Sequence, residues 1–379
     1  MVKIGIFGGT FNPVQLEHVE MVKVAIKELN LDKMVVVPTF VSPHKQGEEV
    51  VNGKYRVDML KLAFEGVNQV EISSYELEKG GVSYTYETIL YFKNLYPNAE
   101  LFYLMGSDML ENFPTWKNPE IITKNANLVL TSRLGGGFDD NALTLAVKNL
   151  YNANVLKISF VGKMASSTLA RTLRKLSLPL TNVCDEKVYN YILKNNLYAP
   201  DSVYEFVTKM LTEKRRYHTA MVIATALKLC KSAGVDKKKA ELAALLHDVA
   251  KYQNAELYPE FFVEKGVPSS VIHQFLGAHI VKTILKITDV DIVNAVKYHT
   301  TGRPNMSNLE KLIFIADLIE PTRNFTGVEK LREAVFNNFE SGFAISVNEL
   351  YKYLKNSGET VYHLTKDCAE FYKGENYDK

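Results

Sequence analysis

Two rhythms of apolar and polar residues divide the chain. In the first half, strand-like runs recur at 2–7, 34–37, 101–105, 128–131 and 156–160, and the first, a short apolar run, has the pattern of a buried parallel strand. Gly8-Gly9 closes the first run and Pro38 the second. Between them, residues 16 to about 29 space Val19, Val22, Val24, Ala25, Ile26 and Leu29 among charges, which predicts an amphipathic helix. Strand–helix alternation predicts a doubly wound α/β domain. Beyond about residue 200 the strand-like runs nearly vanish, and Ala, Leu, Lys and Glu at helical spacing dominate 220–231, 238–250 and 308–319. That half reads as all-α. Ala199-Pro200-Asp201-Ser202 punctuates the change, so the predicted domains are 1–199 and 200–379.

Composition agrees and excludes several classes. A chain of 379 residues favours two domains, and 46% hydrophobic with 23% charged residues is globular rather than disordered. A net charge of +2 gives no support to a nucleic-acid or anionic-membrane partner. Three scattered cysteines cannot build a disulfide framework or a Cys-based zinc site. The N-terminal MVKIGIFGGTF lacks the long apolar region and cleavage site of a signal peptide, and no apolar run approaches a membrane span. A cytoplasmic protein is expected.

Gly8-Gly9-Thr10-Phe11-Asn12-Pro13 lies between a predicted strand and a predicted helix. It matches neither the Walker sequence nor the dinucleotide fingerprint. Its glycines still let backbone N–H groups approach a phosphate at a helix N-terminus. Gln15 and His18, three residues apart at the helix start, could both reach such a phosphate. A second group, Ser166-Ser167-Thr168 with Arg171, follows the last predicted strand. Hydroxyls, helix N–H groups and a guanidinium together suit a polyphosphate, although ordinary capping fits them equally well.

These two groups, with Ser42-Pro43-His44-Lys45, Ser83-Tyr84-Thr85, Gly106-Ser107-Asp108 and Trp116-Lys117 between them, resemble the nicotinate mononucleotide adenylyltransferases over about residues 1–198. The resemblance implies a Rossmann-like nucleotidyltransferase domain that transfers AMP from ATP to nicotinate mononucleotide with Mg²⁺. It puts Gly8, Gly9, Thr10, Phe11, Gln15, Gly106 and Ser167 against substrate and His18 on the α/β-phosphates. His44 and Lys45 add charge near the reacting phosphates, Thr168 and Arg171 hold the β/γ end, and Asp108 contacts the ribose. Trp116, the sole tryptophan, stacks on the pyridine ring, and Thr85 lies near the nicotinate carboxylate.

One departure stands out. The family reads His-x-Gly-His after the proline, whereas this chain reads Gln15-Leu16-Glu17-His18. Loss of a charge-stabilising donor costs about 10²–10³ in rate. A carboxylate at residue 17 would repel phosphate if it faced the site, but it lies about 100° round the helix from His18. A weakened transferase is expected; the alternative is a nucleotide-binding regulatory module.

In the second half, five of the eight histidines (His218, His247, His273, His279, His299) fall between 218 and 299. His247-Asp248 lies in an apolar helical stretch, and Asp317 sits inside another, where unpaired carboxylates would be costly. Imidazoles and carboxylates on helices suit a transition-metal site. His273 and His279 point about 120° apart on one helix, so both should not be ligands. Arg216-Tyr217-His218-Thr219, Leu246-His247-Asp248-Val249, Tyr298-His299-Thr300-Thr301-Gly302-Arg303-Pro304 and Ala316-Asp317-Leu318-Ile319-Glu320-Pro321 resemble the HD-superfamily symmetrical diadenosine tetraphosphate hydrolases over about 203–355.

That resemblance selects His273 over His279. It implies two divalent ions, iron in the resembled group, held by His218, His247, Asp248, His273, His299 and Asp317, with Asp248 bridging. It implies Lys251, Arg303 and Arg323 as phosphate contacts. His18, Lys45, Arg171 and Asp248 are thus the expected catalytic residues. The expected partners are ATP, nicotinate mononucleotide, a dinucleoside polyphosphate and a second copy of the chain in a homodimer, without nucleic acid or membrane. A third reading gives the helical half a mononucleotide or signalling nucleotide as substrate.

Overall fold

The computed structural model describes residues 1–43, 49–133, 140–162, 166–358 and 361–373. Contacts gather Met1–Arg171 with Pro179–Tyr198 into one unit, and Thr172–Leu178 with Ala199–Lys379 into another.

The first unit runs β1 (Lys3–Gly9), α1 (Leu16–Leu29), β2 (Lys33–Pro38), α2 (Gly53–Ala63), β3 (Val70–Ile72), α3 (Tyr75–Lys79), α4 (Thr85–Leu95), β4 (Glu100–Gly106), α5 (Ser107–Glu111), α6 (Pro119–Asn125), β5 (Asn127–Arg133), α7 (Asp140–Tyr151), β6 (Val155–Gly162), α8 (Ser167–Lys175, as far as Arg171) and α9 (Glu186–Lys194). The described strands form one parallel sheet in the order β3-β2-β1-β4-β5-β6. This is the doubly wound arrangement expected from the alternating pattern. On one face Ile4, Ile6, Val35, Val37, Leu101, Tyr103, Leu128 and Leu130 pack against Ile89 and Phe92 of α4, Ile122 of α6 and Val147 of α7. α1 packs beside β1, β2 and β6. The strand order reverses between β1 and β4, and a crevice opens where their carboxyl ends part.

The second unit is helical, as the pattern predicts: α10 (Ser202–Met210), α11 (Glu213–Ala233), α12 (Lys237–Leu246), α13 (Ser269–Thr283), α14 (Val290–Tyr298), α15 (Asn308–Ile319), α16 (Val328–Asn337), α17 (Phe339–Asn356) and α18 (His363–Lys373). Its starts are set by local chemistry. Asp201, Asp236 and Asp289 each accept two backbone N–H groups at the first turns of α10, α12 and α14. Ser307 and Glu310 close a capping box on α15. α11 packs against α12 and α15, and α14 against α13 and α15. One expectation needs correction: the helix predicted over 238–250 ends at Leu246. Residues 247–251 continue as tight turns, with Val249 N bonded to Leu246 O and Lys251 N to Asp248 O. No described helix is long and apolar enough to cross a membrane.

Candidate functional sites

The crevice at the β1–β4 reversal encloses about 710 Å³, room for a nucleotide. Gly8, Gly9, Thr10 and Phe11 line it from the end of β1, Gly106 from the end of β4, and Thr85 and Trp116 from the α4 start and the turn before α6. Gln15, Glu17 and His18 line it from the α1 start, and Ser167, Thr168 and Arg171 from α8. Glu17 shares the cavity with His18 despite the angle between them, because both belong to the first turn at its wall. Phe11 takes a left-handed φ of 47°. Its ring sits edge-on to Phe7 and His18, and a Cβ on Gly9 would lie 2.8 Å from its Cζ, so any side chain there would have to displace the ring.

Hydrogen bonds join the two phosphate-type groups across more than 150 residues of sequence. Gln15 Nε2 donates to Ser167 Oγ at 3.0 Å, Ser167 Oγ donates to Pro13 O at 3.0 Å, and Arg171 Nη1 donates to Asn12 O at 2.8 Å. The Gln15 backbone N–H donates to His18 Nδ1 at 3.2 Å, which leaves the imidazole proton on Nε2. His18 is therefore a donor at that nitrogen without needing a charge. Deeper in, Thr85 Oγ1 lies 3.5 Å from the Tyr103 hydroxyl, whose burial pushes its pKa to about 12 and keeps it protonated.

Arg56 was not legible as part of this site. Buried in α2, it donates from Nη1 to Thr10 O at 2.9 Å and Thr39 O at 2.7 Å, and from Nε to Val51 O at 3.1 Å, tying the glycine loop to the β2 end. No short-range pattern announces a cation whose partners are distant carbonyls. In Arg56→Met those three carbonyls lose their donor. Each orphaned group costs about 1–3 kcal/mol, partly offset because burial no longer penalises a charge. The first unit should lose about 2–3 kcal/mol of stability. A lower urea midpoint followed by fluorescence of the single Trp116 would show it; an unchanged midpoint would refute the clamp.

In the helical unit, five elements deliver the residues named from sequence: His218 from α11, His247 and Asp248 from the turn after α12, His273 from α13, His299 from just beyond α14, and Asp317 from α15. They come together. Asp248 Oδ2 lies 3.2 Å from His247 Nε2 and 3.8 Å from His218 Nε2, while its Oδ1 lies 3.3 Å from His273 Nε2 and 3.6 Å from His299 Nε2. Asp317 Oδ1 is 3.0 Å from His218 Nε2. Two groups result, His218–His247–Asp248 and Asp248–His273–His299, each with donor atoms within 4.8 Å of one another.

The protonation pattern fits a cation. His247 Nδ1 donates to Ala244 O at 2.6 Å and His299 Nδ1 to Val296 O at 2.8 Å, so in the neutral rings both Nε2 lone pairs face the Asp248 carboxylate. His247 Nε2 and Asp248 Oδ1 are buried without a hydrogen-bond partner, an arrangement of facing acceptors that a metal ion would satisfy. Burial lowers the pKa of His247 and takes His273 to about 3, keeping both neutral. Burial opposes a charge on Asp248, yet the imidazoles of His247 and His299 beside it hold its pKa well below the ordinary carboxyl value. Burial also opposes charge on His218, yet Asp317 and Glu320 raise its pKa above the ordinary value.

Glu320 is a second residue to which the sequence assigned no role. Fully buried, it places Oε1 3.0 Å from His218 Nδ1 and is itself steadied by the Thr322 N–H at 2.6 Å. A carboxylate behind a histidine fixes the ring's orientation and raises its basicity toward an ion on the other nitrogen. Glu320→Gln should weaken divalent-ion binding about 10–100-fold. Titration with Mn²⁺ checks this, and equal affinity would exclude the role.

The remaining candidates divide. Lys251 Nζ lies 3.2 Å from His273 Nε2 and 4.0 Å from Asp248 Oδ1, and Arg323 Nη2 lies 2.5 Å from Asp317 Oδ1. Arg303 forms a bidentate pair with buried Glu310, 2.9 Å at both Nε and Nη2, and makes no hydrogen bond or ion pair to the cluster among the described residues. His279 stands beside Phe261, away from the metal-type groups. His44, Lys45 and the Asp108 side chain lie outside the described residues.

Comparison with known proteins matches residues 6–173 to the cytidylyltransferase-like family model and 215–322 to the HD domain. A Mycoplasma genitalium protein named "probable nicotinate-nucleotide adenylyltransferase/Ap4A hydrolase" is 29% identical over 93% of this chain and 98% of its own. A Clostridium perfringens protein named "probable nicotinate-nucleotide adenylyltransferase" is 36% identical over 52% of this chain and 98% of its own. Among solved structures, one described as a "predicted HD superfamily hydrolase involved in NAD metabolism" from Clostridium acetobutylicum aligns with a TM-score of 0.43 at 33% identity, over 46% of this chain and 96% of that one. The chain thus belongs, through its first half, to the nicotinate-nucleotide adenylyltransferase family, and it carries an HD domain behind it.

Proposed function

We propose that the chain is a bifunctional nucleotide enzyme. Residues 1–199 transfer AMP from ATP to nicotinate mononucleotide with Mg²⁺, and residues 200–379 hydrolyse diadenosine tetraphosphate to two ADP with two divalent ions, of which iron is the candidate. The observation that carries this reading is the presence on one chain of both geometries: a switch-point crevice lined by Gly8–Phe11, His18 and Arg171, and one carboxylate, Asp248, shared by two His–His–Asp groups. The reading in which the first half only binds nucleotide is not favoured, since the relatives that span it carry the transferase name.

In the transferase the nucleotide's own phosphate attacks the α-phosphorus, so no protein nucleophile is needed. The chain's contribution is position and charge. His18 donates from Nε2, the α8 start presents backbone N–H groups, and Arg171 places a guanidinium at the polyphosphate. Trp116 and Thr85 receive the pyridine end. In the helical unit, bound divalent ions would supply an activated water and stabilise charge developing at phosphorus. His218, His247, Asp248, His273, His299 and Asp317 would hold them, and Lys251 and Arg323 would bind phosphate.

The test assays the full chain for deamido-NAD formation and for ADP release from diadenosine tetraphosphate with added Fe²⁺ or Mn²⁺. Both activities should appear. Arg171→Ala should depress only the first, and His299→Ala only the second. Absence of either activity would remove that half of the proposal.

A further inference from the structure

The cations around the metal-type groups include one that the sequence did not nominate. Arg215 lies in the first turn of α11, three residues before His218 and so on the same side of the helix. Its Nη1 is 2.8 Å from Asp248 Oδ2, the oxygen that also faces His218 and His247. The three partners therefore meet at a single oxygen. An ion held by His218, His247 and Asp248 would draw on the same lone pairs that the guanidinium uses, so the two cations compete.

The surroundings give the guanidinium an alternative partner. Asp248 is buried, but the Arg215 side chain keeps 20% of its surface exposed, as Lys251 keeps 29% and Arg323 keeps 37%. Each of these side chains pairs inward with a cluster carboxylate and still reaches the edge of the centre. Three cations thus balance the three acids Asp248, Asp317 and Glu320. Two divalent ions added to that balance would leave a strong positive excess, which a polyphosphate chain is suited to neutralise. Of the three cations, Arg215 pairs with the shared carboxylate at the shortest distance, and its planar donors match phosphate oxygens.

We propose that Arg215 is a catalytic, phosphate-binding residue of the helical unit, exchanging Asp248 for a substrate phosphate as divalent ions bind. The assignment rests on the two-ion reading above and adds the residue that couples ion binding to polyphosphate binding. It implies a specific asymmetry. Removing Arg215 relieves competition for Asp248 and so does not weaken ion binding, whereas it removes a grip on phosphate. A merely structural clamp on Asp248 would do the reverse, since its loss would disorder a ligand.

The experiment uses the full chain with Mn²⁺ and inorganic tripolyphosphate as probes, each followed by calorimetric titration, in the unaltered protein, Arg215→Ala and Arg215→Lys. In Arg215→Ala the Mn²⁺ affinity should be equal or higher, and tripolyphosphate affinity of the Mn²⁺-loaded protein should fall about 10–100-fold, the range for a lost charge-assisted contact. Arg215→Lys keeps the charge without the fork and should fall between. Retained Mn²⁺ binding also reports that each variant is folded. Weaker Mn²⁺ binding in both variants, or undiminished tripolyphosphate binding in Arg215→Ala, would overturn the assignment and leave the two-ion reading intact. An unaltered protein that took up no Mn²⁺ would overturn both. One that bound both probes yet left diadenosine tetraphosphate intact would remove only the proposed hydrolase substrate; the Arg215 assignment would then stand or fall on the tripolyphosphate titration.

Discussion

Asp248→Asn should abolish hydrolysis by the helical unit and spare adenylyl transfer. The carboxylate is nearly inaccessible, and its two oxygens divide the surrounding imidazoles, His218 and His247 on one and His273 and His299 on the other. An amide keeps the size but loses the negative charge, and its nitrogen presents N–H groups to lone pairs that a cation should meet. Both ion-binding groups therefore fail together, whereas loss of any one histidine touches a single group. With several kcal/mol of charge stabilisation gone, the rate should fall about a thousand-fold or more. Metal analysis of the purified protein should show fewer than one bound ion in place of two. Full activity in Asp248→Asn, or loss of one ion only, would mean that the carboxylate does not bridge. Deamido-NAD formation by the same sample is the internal control for folding, because the two reactions use different residues.

What the sequence disclosed depended on the range of the interactions involved. The apolar runs of β1, β2, β4 and β5 were legible because strands buried on both faces are apolar at nearly every position, whereas the edge strand β6 alternates, with Lys157 and Ser159 exposed on either side of buried Ile158. β3, three residues long at Val70–Ile72, is too short to leave a pattern. α15 has the limits its periodicity predicts, Asn308 to Ile319, because Ser307 and Glu310 mark its start locally. The helix before His247 is shorter than its apolar pattern predicts, for the opposite reason. Val249 and Ala250 are apolar because tertiary packing buries them, and apolar character alone does not distinguish a buried turn from a buried helix. Within each site the residues nominated by family resemblance lie together in space where they are described, while Arg303 shows its bonds to Glu310 and Pro304 instead. Arg56, Arg215 and Glu320 were assigned no role because each acts on a partner remote in sequence, 102 residues away for Glu320 and His218. Such pairings exist only once the chain is folded.

Restoring Gln15→His and Glu17→Gly together should raise adenylyl transfer about 10²–10³-fold. Gln15 precedes the first residue of α1 at the wall of the crevice, and its amide nitrogen already serves Ser167 Oγ at 3.0 Å. It therefore helps to hold the two phosphate-type groups together but brings no charge to the reaction. An imidazole there can add a donor that strengthens as charge develops on the transferring phosphate. Glu17 acts in the opposite direction. It lines the same crevice as His18 and Arg171, and a carboxylate about 4 Å from a phosphate costs about 1–4 kcal/mol at the dielectric of a partly wet site. Its removal also has a cost, because glycine in a helix loses about 1 kcal/mol and an acidic residue in the first turn complements the helix dipole. Glu17→Gln separates these effects, since it removes the charge and keeps the helix. If repulsion dominates, Glu17→Gln alone should recover most of what Glu17→Gly recovers, and KM for ATP should fall along with any rise in kcat. Measured as deamido-NAD formed from nicotinate mononucleotide and ATP, a low rate in the native chain and a higher one in the double variant would establish a weakened transferase. No turnover in the native chain with clear turnover in the double variant would instead make this domain a nucleotide-binding module that two substitutions have silenced.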